Sequence, residues 1–211
     1  MRGARPRADF AQRLADVAVQ IVQYPHPTLR HVSKPLKRVD AELRAMVGQM
    51  FELMYAASGI GLAANQVDLP YRLFVLNTSG DRQQKELEQV FINPVITRRQ
   101  GSAEGEEGCL SLPGLYAEVK RPEKISVQAY NLQGEEISAD LDDLPARAVQ
   151  HELDHLNGKL FIDHLPPTKL MELRDAIREF ELEFDSRRQR GEIGDDQSLR
   201  ARLLDLEQLR T

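Results

Sequence analysis

The sequence predicts an α+β fold: antiparallel strands packed around a central helix that carries a His-Glu-x-x-His pattern, with a C-terminal helical extension. Three observations predict it. Strand-like runs lie both before and after the helical patterns, without the strand–helix–strand rhythm of a parallel sheet. The stretch "LPARAVQHELDHLNG" reads as a helix, with Pro145 in its first turn and Gly158 just past its end. Beyond Pro166 and Pro167 the chain becomes charge-rich with spaced leucines, the pattern of exposed helices.

The elements follow in order. Residues 1–18 are arginine-rich without the apolar centre of a signal peptide and read as an N-terminal extension. Val19–Val22 forms a short β-like run, after which Pro27 and Pro35 prevent any long regular element. From Asp40, a helix N-cap, Leu43, Met46, Met50, Leu53 and Met54 recur at helical spacing; the methionine stripe fits core filling better than a cofactor box. "YRLFVLN" and "VFINPVITRR" read as strands by their β-branched and aromatic content. The glycine-rich "GSAEGEEGCLSLPG" reads as a loop. "YAEVKRPEKISVQAYNLQGEEISADL" reads as further strands, two of them joined as a hairpin by the Gln133-Gly134 turn. Residues 166–211 form a tail of one long exposed helix, a Gly191–Gly194 break and a second short helix. With residues 19–165 as the catalytic domain, three segments result.

At 211 residues with 41% apolar content, the chain suits one globular domain with a tail. A net charge of -5 argues against a general nucleic-acid binder. No apolar run approaches the roughly 18 residues of a membrane span. The single cysteine, Cys109, excludes an intramolecular disulfide and suits a reducing compartment. A cytoplasmic protein is the expectation, an organelle being the alternative.

"GIGLAA", Gly59–Ala64, matches the loose form of a dinucleotide fingerprint, but a helical pattern precedes it and a strand follows, the reverse of the required order. The stretch reads instead as a tight turn where backbone approaches something closely, with Gln66 presenting an amide just downstream.

His151 and His155, four apart on a helix, can direct both imidazoles at one ion about 2.0–2.1 Å away. Glu152, roughly 100° round the helix from His151, can act as a general base without being a ligand. The metzincin extension of the motif fails because its last ligand position falls on Phe161. Glu172 and Glu179 are alternative third ligands, as in other zinc peptidases, but lie past the Pro-Pro break. Cys109, the lone thiol in a stretch of glycines and acids, is the better third ligand. Glu107, Gln150 and Asp154 flank these residues, where they could orient imidazole or thiolate. Ser111 has no free base to make it a nucleophile, and His26, His31 and His164 read as surface or loop histidines.

"GIGLAANQ", "EGCLSLPG" and "QHELDHLNG", in that order, resemble the peptide deformylase family. "VQYPHPTLRHVSKPL" and "LFIDHL" extend the resemblance over most of residues 19–165. It implies a mononuclear site of Cys109, His151 and His155 with a fourth position open to water, and Glu152 as catalytic acid/base. It further implies that the Gln66 amide and the Leu110 backbone N–H stabilise an oxyanion, and that the Gly61 backbone contacts substrate. The implied reaction is removal of the formyl group from the N-formylmethionyl end of nascent peptides. Ile60, Leu144 and Ala148 are candidate walls of a methionine pocket. One divalent ion is implied: the ligand set alone points to Zn2+, whereas the resemblance implies Fe2+, with Zn2+, Ni2+ or Co2+ able to substitute. An exposed thiolate beside ferrous iron implies oxygen sensitivity. The tail mixes both signs, which gives no basis for ribosome docking through it and suits a solvated face or a dimer contact. A zinc peptidase and a non-catalytic metal-stabilised module are the rival readings; neither uses Gln66 and Gly61.

Overall fold

Alternation decides how the central strands are covered. In β2 (Leu73–Leu76) all four residues are buried, because successive side chains point to opposite faces and both faces are packed. Leu73 and Val75 join Leu43, Met46, Met50 and Met54 of α1 (Ala41–Ala56). Phe74 and Leu76 join Ala146, Val149, Leu153 and Leu156 of α2 (Asp143–Leu156). The sheet therefore lies between the methionine-rich helix and the His-Glu-x-x-His helix. The computed structural model describes residues 20–211; the expected N-terminal extension, residues 1–18, lies outside them.

The main sheet has five antiparallel strands in the order β1 (Gly61–Ala63), β2, β3 (Gln89–Gln100), β6 (Lys124–Tyr130) and β7 (Glu136–Asp142). The β6–β7 hairpin turns at Asn131–Glu135, with Gly134 at φ 79°, as the Gln133-Gly134 pair predicts. A separate antiparallel hairpin joins β4 (Ala103–Cys109) to β5 (Leu112–Arg121). The expected loop "GSAEGEEGCLSLPG" is thus largely strand: Glu104 and Glu106 point outward and Glu107 and Cys109 inward, so the acids supply the polar half of a period-2 pattern. Asp40 caps α1, its carboxylate accepting the Leu43 N–H at 2.8 Å.

Two further expectations are corrected. Gln20–Val22 is not in a strand, and Val19 lies outside the described residues. The segment bonds in turn to different partners, Val22 N–H to Gln66 O at 2.8 Å and Tyr24 N–H to Ser111 O at 2.9 Å, so no ladder forms. The tail does consist of a long helix, α3 (Pro167–Gln189), and a second helix, α4 (Asp196–Arg210). While α3 is largely exposed, α4 is not a solvated face. It buries Leu203 and Leu206, and Leu206 joins the cluster around α1, Val67 and Tyr71. Leucines three apart on one helical face provide the apolar stripe that docks it.

Candidate metal centre

The apolar face of α2 is fixed on the sheet, so its other face is fixed too. His151 and His155 project one turn apart, with ring centroids 5.0 Å from each other. Cys109 ends β4 where the hairpin register slips, Gly108 pairing Tyr116 but Cys109 pairing Leu112. Its Sγ lies 3.3 Å from His155 Nε2, and the donor atoms of Cys109, His151 and His155 all lie within 4.8 Å of one another. Cys109 is buried, at 8% exposure, which corrects the expectation of an exposed thiolate. Phe161, which cannot ligate, packs its ring near that of His151, 6.3 Å between centroids. Glu172 and Glu179 are exposed on α3 and outside the cluster.

His151 is oriented by Glu107, whose Oε2 accepts from Nδ1 at 3.0 Å, leaving Nε2 for the cluster. Arg121 grips the Glu107 carboxylate with two bonds, at 2.5 and 2.9 Å, and Arg147 adds a third at 2.7 Å. Burial pushes Glu107 up, but the hydrogen bonds from His151 and Arg121 outweigh it and bring its carboxyl down to about 2. Asp154 accepts from Arg121 at 2.7 Å and bonds His164 Nε2 at 2.7 Å. Gln150 Nε2 ties the helix to the Pro122 carbonyl at 2.9 Å and also donates to the Ala146 carbonyl of its own helix at 3.0 Å. Sequence reasoning missed Arg121 and Arg147. Arg147 stands four residues before His151, a signal that was available; Arg121 has no local one.

Three observations fit a bound cation. The three donors are soft or borderline types that suit one transition metal. Burial lowers His155 well below the usual histidine range, keeping a neutral imidazole fit to ligate. Glu152 Oε2 is buried without a hydrogen-bond partner among the described residues.

Burial, and then the charge of Glu107, raise Glu152 to about 7. Its carboxylate lies over Gly61: a Cβ at Gly61 would stand 2.4 Å from Glu152 Oε1. That is the close approach the glycine stretch predicts. Gln66 Oε1 accepts the Ala63 N–H at 2.9 Å, which turns Nε2 toward Cys109 Sγ at 3.5 Å and Ser111 Oγ at 3.3 Å. Gly61, Gln66, Cys109, His151 and Glu152 line a cavity of about 660 Å3 together with Leu110, Ile60, Leu144 and Ala148. Of the remaining histidines, His26 is buried against Phe184 instead of lying on the surface, His31 bonds Glu207 at 2.8 Å, and His164 is exposed.

Known proteins match the same chain. The family model described as polypeptide deformylase matches residues 18–171. A peptide deformylase of Rhodopirellula baltica is 48% identical over 181 residues, 86% of this chain and 90% of that one. One from Acinetobacter baumannii is 44% identical over 158 residues, 74% of this chain and 88% of the other. Among solved structures, a plant peptide deformylase superimposes with TM-score 0.78 at 39% identity, covering 82% of this chain and 94% of that one. A Plasmodium falciparum peptide deformylase gives 0.77 at 36% identity, covering 79% and 98%.

Proposed function

The chain belongs to the polypeptide deformylase family, metal-dependent hydrolases that remove the N-formyl group from newly made polypeptides, and from that premise we propose how its own residues do so. Cys109, His151 and His155 hold one divalent ion; the convergence of their donor atoms within 4.8 Å, beside the unpartnered Glu152, is the observation that carries this reading. When bound, such an ion supplies Lewis acidity, bringing the ionisation of water from a pKa of about 15.7 to about 7. We assign Fe2+ on the family resemblance, with Zn2+, Ni2+ or Co2+ as substitutes.

Glu152 takes a proton from the attacking water and passes it to the departing amine. A buried carboxylate raised to about 7 is suited to both directions of transfer near neutral pH. The Gln66 amide and the Leu110 N–H donate to the developing oxyanion; losing one such donor costs about 3–4 kcal/mol of barrier. The Gly61 backbone borders the reacting group, since its missing side chain leaves room beside Glu152. Ile60, Leu144 and Ala148 receive the methionine side chain, and their place in the cavity wall supports this. A formyl group is small enough to enter where an ordinary peptide carbonyl is excluded.

We assign residues 19–165 to the catalytic domain and 166–211 to the tail. None of the described helices is long and apolar enough to cross a membrane, and the nascent-chain substrate supports action in the cytoplasm. No nucleic-acid contact is assigned, and none to the ribosome through the tail.

The test is hydrolysis of a formyl-methionyl peptide by anaerobically purified, Fe2+-loaded protein. Glu152→Ala is expected to retain its metal and lose about 10²–10⁴-fold in kcat. Equal turnover by both proteins would remove Glu152 from the mechanism.

A further inference from the structure

Two of the polar contacts of α4, at Arg202 and Glu207, lead to the turn that bears Gln66. This helix lies beyond the residues matched by the family model. Its Arg202 donates from Nη2 to the Asp68 carbonyl at 2.9 Å and forms an ion pair with the Asp68 carboxylate. Asp68 ends the 3-10 turn Ala64–Val67, two residues past Gln66, with its backbone left-handed at φ 60° and ψ 33°. Aspartate is among the few residues with a Cβ that adopt this conformation, its short carboxylate fixing it through local bonds. Here Thr28 Oγ1 donates to one carboxylate oxygen at 2.5 Å while Arg202 takes the other.

A second path reaches the same turn. Glu207 of α4 is buried, bonded to His31 Nε2 and Lys34 Nζ, each at 2.8 Å. The His31 carbonyl accepts from Asn65 Nδ2 at 2.7 Å. The turn is therefore held at its end by Arg202 and at Asn65 through His31. The side chain it sends into the cavity is Gln66.

We propose that α4 positions the oxyanion-stabilising amide, with Arg202 acting through Asp68 as a positioning residue for Gln66. This rests on the reading of Gln66 given above. An oxyanion donor works only within about 2.7–3.1 Å of the developing charge, so a turn that slackens without unfolding still loses rate. A partly exposed ion pair contributes little to global stability, which makes the effect on rate separable from the effect on folding.

The experiment is a double-mutant cycle on the full-length, metal-loaded chain: parent, Arg202→Ala, Gln66→Ala and the pair together, with Arg202→Lys as the conservative variant. Metal content, melting temperature and amide exchange at Asn65–Asp68 are measured on each protein. Arg202→Ala is expected to lower kcat by roughly three- to tenfold, an ordinary coupling between neighbouring groups, with KM little changed and exchange at Asp68 faster. In the Gln66→Ala background it is expected to lower kcat no further, and Arg202→Lys to recover most of the loss. An equal loss in both backgrounds would mean general support of the fold and overturn the proposal, as would no loss in the parent background. If Gln66→Ala itself costs nothing, the oxyanion role fails first and the positioning role falls with it. If every variant, parent included, is inactive with metal bound, the deformylase reading is what has failed.

Discussion

At the scale of single residues, Gly61 shows how tightly the site is drawn. It lies in an extended strand where alanine meets no backbone penalty, so the demand for glycine is purely one of space against Glu152. Gly61→Ala is expected to fold with nearly the parent melting temperature and to lose about 10²-fold in kcat, because a displacement of about 1 Å in a catalytic group costs that much. Steady-state kinetics beside a melting curve checks it; unchanged kcat would show that Glu152 can shift without consequence. The two histidines and Glu152 were legible because their relation is set by helical spacing. Cys109 stood out only as the lone thiol. Its burial, and its 3.3 Å approach to His155, come from a hairpin register that no local pattern encodes.

At the scale of elements, the short 3-10 turn Pro27–Arg30 depends on a neutral histidine. His26 Nδ1 accepts the Thr28 N–H at 3.3 Å, which a protonated ring cannot do. The ring packs edge-on to Phe184 of α3. Burial, with Arg202, Arg188 and Arg187 nearby and Asp196 opposing them, lowers its pKa from 6.5 to about 4. Between those values the unfolded chain binds a proton that the folded chain does not. This contribution to stability is therefore intact above pH 6.5 and is lost as pH falls toward about 4. Urea unfolding at about pH 7 and about pH 5 is expected to show a smaller loss of stability in His26→Gln than in the parent; equal losses would mean that His26 titrates normally. The 3.6-residue period identified α1 and α2 from sequence, and glycine marked the β6–β7 turn. Strand β4 and the start of β5 were missed because they carry acids and glycines where an apolar alternation would have announced them; the rest of β5, from Tyr116, falls in the stretch that reads as strand.

At the scale of the whole molecule, α4 belongs to the same core as α1. Leu206 is fully buried beside α1 and Tyr71, and Tyr71 Oη donates to the Leu206 carbonyl at 3.3 Å. Arg210 is buried as well, bonded to Tyr71 Oη at 3.1 Å and to Glu42 at 2.5 Å. Leu206→Ala is expected to destabilise the protein by about 2–5 kcal/mol, the cost of a cavity at a packed site. Leu204→Ala, two residues away and half-exposed, is expected to stay within about 0.5 kcal/mol of the parent. Chemical unfolding of the two variants compares them, and similar small losses would mean that α4 is only loosely held.

What the sequence by itself determined was local: helix and strand periods, the His-Glu-x-x-His face, the glycine turn that lets backbone approach a neighbour closely, and three motifs whose order marks the family. Only the tertiary structure decided which distant groups meet. Arg121 reached Glu107 across the β4–β5 hairpin, and α4 returned to grip the turn that bears Gln66. Spacing along a chain fixes neighbours within one helix or strand. Contacts between elements depend on register and docking angle, and these are set by the packing of all the apolar faces together.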